Sequence, residues 1–218
     1  MPVYALAYVV AAFAFWSMAK KRGLATRGIS IVAWSGLIGG LLGANLVQIF
    51  ATGAPGKAIE GGIAGGWIAV ILAKQAIGLR RPTGDLFAVA LSAGEAIGRI
   101  GCFIGGCCYG KVAQVAWSVH DHGAWRHPAQ LYSSFGSALT LALLLWIDRK
   151  RDLPENGLFF VQGMCFCALR FGVEFFRETP AATFGGVTLV QLACVAGFAF
   201  FAYKFLRQTS AGVAAATA

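Results

Sequence analysis

The sequence predicts an all-helical, polytopic membrane protein of about seven transmembrane helices, and three observations lead there. Hydrophobic residues fill 58% of the 218 positions and charged residues only 12%, about half the charged share of a soluble domain. Mean hydropathy is +0.69. The apolar residues come in runs of about 20, the length that crosses a bilayer as a helix, with short basic clusters between them.

Seven spans fall at 3–19, 29–50, 61–79, 85–105, 128–147, 157–176 and 187–206. The first has no basic segment before it, since Lys20, Lys21 and Arg22 follow it. It therefore reads as a retained helix rather than a cleaved leader. The second pairs Gly36 with Gly40 and Gly39 with Gly43, and the third pairs Gly62 with Gly66. Small residues four apart let helix backbones approach closely in lipid. The fourth carries Glu95 and Arg99, the fifth opens at Pro128 just after His127, and the sixth carries Arg170 and Glu174. The seventh ends before a small, uncharged tail at 209–218 that reads as disordered. Residues 1–208 read as one transmembrane domain.

Charge placement sets the expected orientation. Odd-numbered loops hold Lys20, Lys21, Arg22 and Arg27, then Arg80 and Arg81, then Arg149, Lys150 and Arg151. Lys204 and Arg207 fall on the same side, whereas the opposite side holds Lys57, Lys111, Arg126 and Arg177. The positive-inside rule puts the N-terminus outside and the C-terminus in the cytoplasm. The net charge of +9 thus belongs to membrane topology, and nucleic acid is not an expected partner.

Four ionisable groups lie within apolar spans. Glu95 and Arg99 share a helix face at a spacing of four, as do Arg170 and Glu174, with Arg177 one turn further on. Unpaired at mid-bilayer, four such groups would cost on the order of 10 kcal/mol. Two readings stand: each pair neutralises itself and joins helices, or the pairs line a cavity for an anion. Depth favours the cavity, because Arg99 and Arg170 each sit about 9 Å from the outer end of an outward-running helix. Asn45 and Gln48, Glu60, His127 with Gln130, and Gln191 reach the same leaflet from other helices. Arginine forks suit a phosphate.

Cys102, Cys107 and Cys108 cluster where the fourth span ends, and His120, His122 and His127 follow. The spacing matches no standard zinc pattern, and no metal or cofactor is assigned. A disulfide and a reactive thiol remain open for these three. Cys165, Cys167 and Cys194 read as small core residues.

GRIGCFIGGCCYG (98–110), RHPAQLY (126–132) and RFGVEFFRE (170–178) resemble, in order and spacing, motifs of the prolipoprotein diacylglyceryl transferase family. GGIAGGWIAVILA (61–73) is similar to that family's glycine-rich third-helix segment. The resemblance implies a seven-helix enzyme of the inner membrane. Its reaction moves the diacylglyceryl group of phosphatidylglycerol to the lipobox cysteine of a prolipoprotein and releases glycerol phosphate. By motif match, Arg99 corresponds to the family's essential arginine, and Arg170 with Glu174 to its later Arg–Glu pair.

Four departures accompany the match. Glu60 stands where the family has His, Cys102 and Gly105 where it has Asn, and Ser133 where Glu follows QLY. The 106–127 loop is also shorter than the family's outer head region. The expected catalytic set is therefore Arg99, Arg170, Glu174, Glu60 and His127. The expected substrate-binding set is Gly98, Gly101, Cys102, Gln130, Tyr132, Glu95, Gly61, Gly62, Asn45 and Gln48. Glu60 has two readings, as the base for the nucleophile or as an acidic residue favoured at a helix start. The rivals are a paralogous transferase with a small thiol or alcohol as acceptor, a lipid or small-molecule transporter, and a lipid-binding scaffold. Neither broken helices nor internal symmetry marks a transporter here.

Overall fold

The computed structural model describes residues 2–53, 59–150, 153–178 and 183–217, with side-chain surroundings left undescribed at 51, 52, 59, 60, 183, 184 and 211–217. Lys57, Arg151 and the Glu60 side chain therefore lie outside the described residues. Seven helices appear among those described: α1 (Pro2–Lys21), α2 (Arg27–Thr52), α3 (Ile59–Ala76), α4 (Gly84–Ile104), α5 (Ala129–Lys150), α6 (Gly157–Glu174) and α7 (Leu189–Thr217). Six are long and apolar enough to cross a membrane. The exception is α3, an 18-residue helix that carries Glu60, Lys74 and four glycines. Expected and observed helix ends agree within a few residues, except that α7 continues to Thr217 over the tail read as disordered.

Two short hairpins interrupt the all-helical pattern. β1 (Val119–Asp121) pairs antiparallel with β2 (Ala124–Arg126), and β3 (Thr183–Phe184) with β4 (Val187–Thr188). Each turns through two residues of positive φ, His122 with Gly123 and Gly185 with Gly186, the tight turn whose twist matches paired strands.

Helix packing divides the chain into two units, Met1–Met18 with Pro82–Ala218, and Ala19–Arg81, where the sequence reads as one domain. In the second unit α2 packs on α3 through their glycines. A Cβ on Gly65 would lie 2.9 Å from Gly43 Cα, and one on Gly43 would lie 2.9 Å from Gly65 Cα. Backbone meets backbone there, so neither position has room for a side chain. Gly65→Val is expected to cost about 1–3 kcal/mol by overpacking, read as a lower thermal midpoint in detergent. An unchanged midpoint would mean that the helix pair opens without loss.

In the first unit α4 packs on α5 and α6, and α6 on α7, while Phe15 of α1 meets Phe87 of α4 with ring centroids 5.0 Å apart. Ser92, Gln130, Ser137, Gln162 and Gln191 are buried, whereas Phe13, Ile104, Phe135 and Val195 are exposed. A water-soluble domain distributes these residue types the other way. Polar groups turned inward and apolar ones outward suit helices solvated by lipid.

Two reciprocal bonds tie the starts of α4 and α6 together. Gly84 N donates to Asn156 Oδ1 at 2.9 Å, and Phe159 N donates to Asp85 Oδ1 at 3.1 Å. Each side chain satisfies an orphan amide at the other helix's first turn. Both helices thus begin at one level and run in the same direction.

Candidate anion site at the ends of two helices

That shared origin sets the height of the charged residues. At 1.5 Å per residue, Arg99 stands about 22 Å along α4 and Arg170 about 20 Å along α6. Arg99 is buried, and its guanidinium donates from Nε and Nη2 to Glu95 Oε1 at 3.4 and 3.3 Å. Arg170 Nη1 donates to Glu174 Oε2, and the Glu174 side chain has no exposed surface. The same carboxylate oxygen lies 3.9 Å from Arg177 Nη1. The spacing of four therefore produces the expected pairs on both helices, and Glu174 serves two arginines.

Arg177 was noted in the sequence but given no role, and the structure makes it part of the cluster. Its Nε is buried with no hydrogen-bond partner. Burial, and next the Arg170 cation, pull its pKa below the usual arginine range, with Arg99 acting in the same direction. Three guanidinium groups thus face two carboxylates, Glu95 and Glu174. The group carries a surplus positive charge and an unused donor, a combination suited to a bound anion.

A laced segment holds Arg177 in place. Gly110 bridges Arg177 in antiparallel fashion, and Val112 bridges Arg126. Lys111 N donates to Phe176 O at 2.8 Å, His127 N to Lys111 O at 3.0 Å, and Glu178 N to Tyr109 O at 3.2 Å. A Cβ at Gly110 would meet Phe176 O at 2.8 Å and His127 Cβ at 2.9 Å, so only glycine lets the three segments close. Arg126 reinforces the join. It is buried, donates to Asp121 O at 3.1 Å and Gly110 O at 3.2 Å, pairs with Glu178 and covers the Tyr109 ring at 4.7 Å.

His127, at the end of this lacing, packs on Phe176 with ring centroids 5.1 Å apart. Its Nδ1 lies 3.0 Å from Tyr132 Oη, which accepts from Trp117 Nε1 at 2.7 Å. For Nε2 to accept a proton, Nδ1 must carry hydrogen and donate to Tyr132 Oη. Gln130 is buried, and its Nε2 donates to Cys107 O at 2.9 Å. Tyr4 of α1 stacks over Gly101, where a Cβ would lie 3.1 Å from its ring, and donates from Oη to Cys102 Sγ at 3.5 Å. Gly98 faces Ala7 of the same helix at 4.0 Å. Hydrogen bonding to Cys102, together with burial, holds the Cys108 thiol well above its ordinary range, against the opposing charge of Arg177.

Ten expected site residues thus fall in the first unit: Arg99, Arg170, Glu174, His127, Gly98, Gly101, Cys102, Gln130, Tyr132 and Glu95. Asn45, Gln48, Gly61 and Gly62 belong to the second, as does the backbone of Glu60. Asn45 Nδ2 donates to Leu41 O of its own helix at 2.8 Å. A Cβ on Gly61 would lie 2.7 Å from Val47 Cβ, and one on Gly62 would lie 3.5 Å from Gly40 O. Both glycines are therefore used in the packing of α2 against α3.

The family model described as prolipoprotein diacylglyceryl transferase matches residues 1–207. The chain belongs to that family. It is 31% identical over 204 residues to a phosphatidylglycerol–prolipoprotein diacylglyceryl transferase of Geobacter sulfurreducens, covering 82% of this chain and 77% of the relative. A transferase of the same name from Oleidesulfovibrio alaskensis is 28% identical over 221 residues, 88% of this chain and 83% of the relative. One from Clostridium tetani is 31% identical over 198 residues, with 81% and 79% covered. This diacylglyceryl transferase family member thus matches its relatives over most of both lengths, and the stretch matched by the family model includes every charged group of the cluster.

Proposed function

We propose that this chain is a membrane transferase that takes the diacylglyceryl group of phosphatidylglycerol and passes it to a thiol, the lipobox cysteine of a prolipoprotein. The observation that carries the reading is the arginine trio, Arg99 buried and Arg170 and Arg177 only slightly exposed, with its surplus charge and the unused Nε of Arg177. The acceptor sulfur attacks the glyceryl carbon that bears the phosphate. A carbon–sulfur bond forms, the carbon–oxygen bond to phosphate breaks, and glycerol phosphate leaves with the electron pair. Arg99 and Arg170 stabilise the charge growing on that phosphate, while Glu95 and Glu174 hold the two forks in position. Glu60 or His127 takes the thiol proton. Basic loops on one side support an inner-membrane protein whose site faces the outer leaflet.

Release of labelled glycerol phosphate from phosphatidylglycerol, with a lipobox peptide as acceptor, is the test. Lipid that binds without turnover would assign the chain to a carrier or scaffold. One observation favours a second acceptor class, a small thiol or alcohol: the 106–127 loop is short, and much of it is committed to the hairpin and the lacing. Turnover with a small thiol but not with the peptide would select it.

Glu60→Gln separates the two candidate bases. Turnover is expected to fall at least tenfold and to recover partly at higher pH, where a thiol of pKa about 8.5 ionises unaided. Unchanged turnover with a slight loss of thermal stability would make Glu60 a helix-start charge and leave His127 as the base.

A further inference from the structure

The end of α4 gathers three thiols to which the proposed transfer gives no chemical step. α4 closes in a fold-back turn: Gly106 N donates to Phe103 O at 3.2 Å, and Cys107 N donates to Cys102 O at 3.1 Å. Gly106 has a φ of +62°, the left-handed conformation that ends helices in this way. The turn returns Cys107 to Cys102, and Cys108 follows with a φ of +60°. A residue with a Cβ adopts that conformation at a cost of about 1–2 kcal/mol, and such strain concentrates at functional positions. The result is that Cys102, Cys107 and Cys108 have their Sγ atoms within 4.8 Å of one another.

We propose that Cys102, Cys107 and Cys108 form a three-thiolate site for a soft d10 metal ion, with three-coordinate monovalent copper the best match to the ligand number. Bonds of about 2.3 Å from a central ion to three sulfurs in a plane set those sulfurs about 4.0 Å apart. The cluster therefore needs only a small contraction. Thiolates alone select soft ions over magnesium or calcium, and the group contains no carboxylate or imidazole. Tyr4 Oη lies 3.5 Å from Cys102 Sγ and 4.0 Å from Cys107 Sγ. It thus supplies the outer hydrogen bond that orients metal-bound sulfur. Gln130 fixes the turn from α5 through Cys107 O.

The test uses the full chain in detergent, reduced and stripped of metal, titrated with monovalent copper held by a chromophoric chelator. The chain is expected to withdraw one equivalent of copper and to protect three thiols from maleimide, counted by mass. Cys107→Ala, at an exposed position that leaves the helix undisturbed, should lose the copper and the protection. Cys165→Ser should keep both. Copper left on the chelator, or equal uptake by the Cys102→Ser, Cys107→Ser, Cys108→Ser triple variant, overturns the proposal.

Discussion

Arg170→Lys is expected to lower turnover by 10²–10³ while the protein remains folded, the size of effect that follows removal of one donor aimed at developing charge, roughly 2.7–4 kcal/mol. Lysine keeps the positive charge and so preserves the pairing with Glu174, whose side chain has no exposed surface. What it loses is the planar fork, which can bond a carboxylate and a phosphate oxygen at once. Measuring kcat separately from KM gives the decisive reading. A fall in kcat at unchanged thermal midpoint assigns Arg170 to the departing phosphate. Wild-type turnover would leave Arg170 as a helix-joining cation, the alternative that its spacing of four from Glu174 also allows.

Glu174→Leu is expected to act on the fold before it acts on the chemistry. The buried carboxylate is shared by Arg170 and Arg177, so removing it leaves two slightly exposed like charges facing each other. Breaking a buried pair from one side costs about 3–5 kcal/mol, and the thermal midpoint in detergent should fall accordingly. Adding Arg177→Leu removes one of the stranded cations and should restore part of the stability. Turnover should not return with it, because the second substitution also removes the donor whose Nε has no partner. Recovery of turnover in the double variant would exclude Arg177 from the anion site.

The charged pairs were legible in the sequence because they are local. Glu95 with Arg99, and Arg170 with Glu174, meet at a spacing of four on any helix, and both pairs appear in the structure. Arg177 was harder to value. Its position one turn further along the face is periodic, but its burial and its lack of a partner for Nε depend on Gly110 closing against Phe176 and His127. The sequence offered one signal, the glycine ending GRIGCFIGGCCYG, and nothing in its spacing named the contact. The hairpins were missed for a related reason, since strands of two or three residues carry too short a pattern to be read against a helical background.

The sequence by itself determined the helical membrane class, the approximate ends of the helices, the charged pairs and the family. Each of these rests on composition, on a period of a few residues or on a run of about 20, and none needs a distant partner. The tertiary structure alone decided what ties α4 to α6 at the common depth that the spans imply. The Gly84–Asn156 and Phe159–Asp85 bonds join residues 72 and 74 apart in sequence, and no periodicity encodes them. They start α4 and α6 together, and so fix Arg99 level with Arg170 through contacts written in neither segment. The thiol cluster lies between these cases. The sequence placed Cys102, Cys107 and Cys108 together at the end of the fourth span, and the local left-handed turn at Gly106 set the approach of their sulfurs.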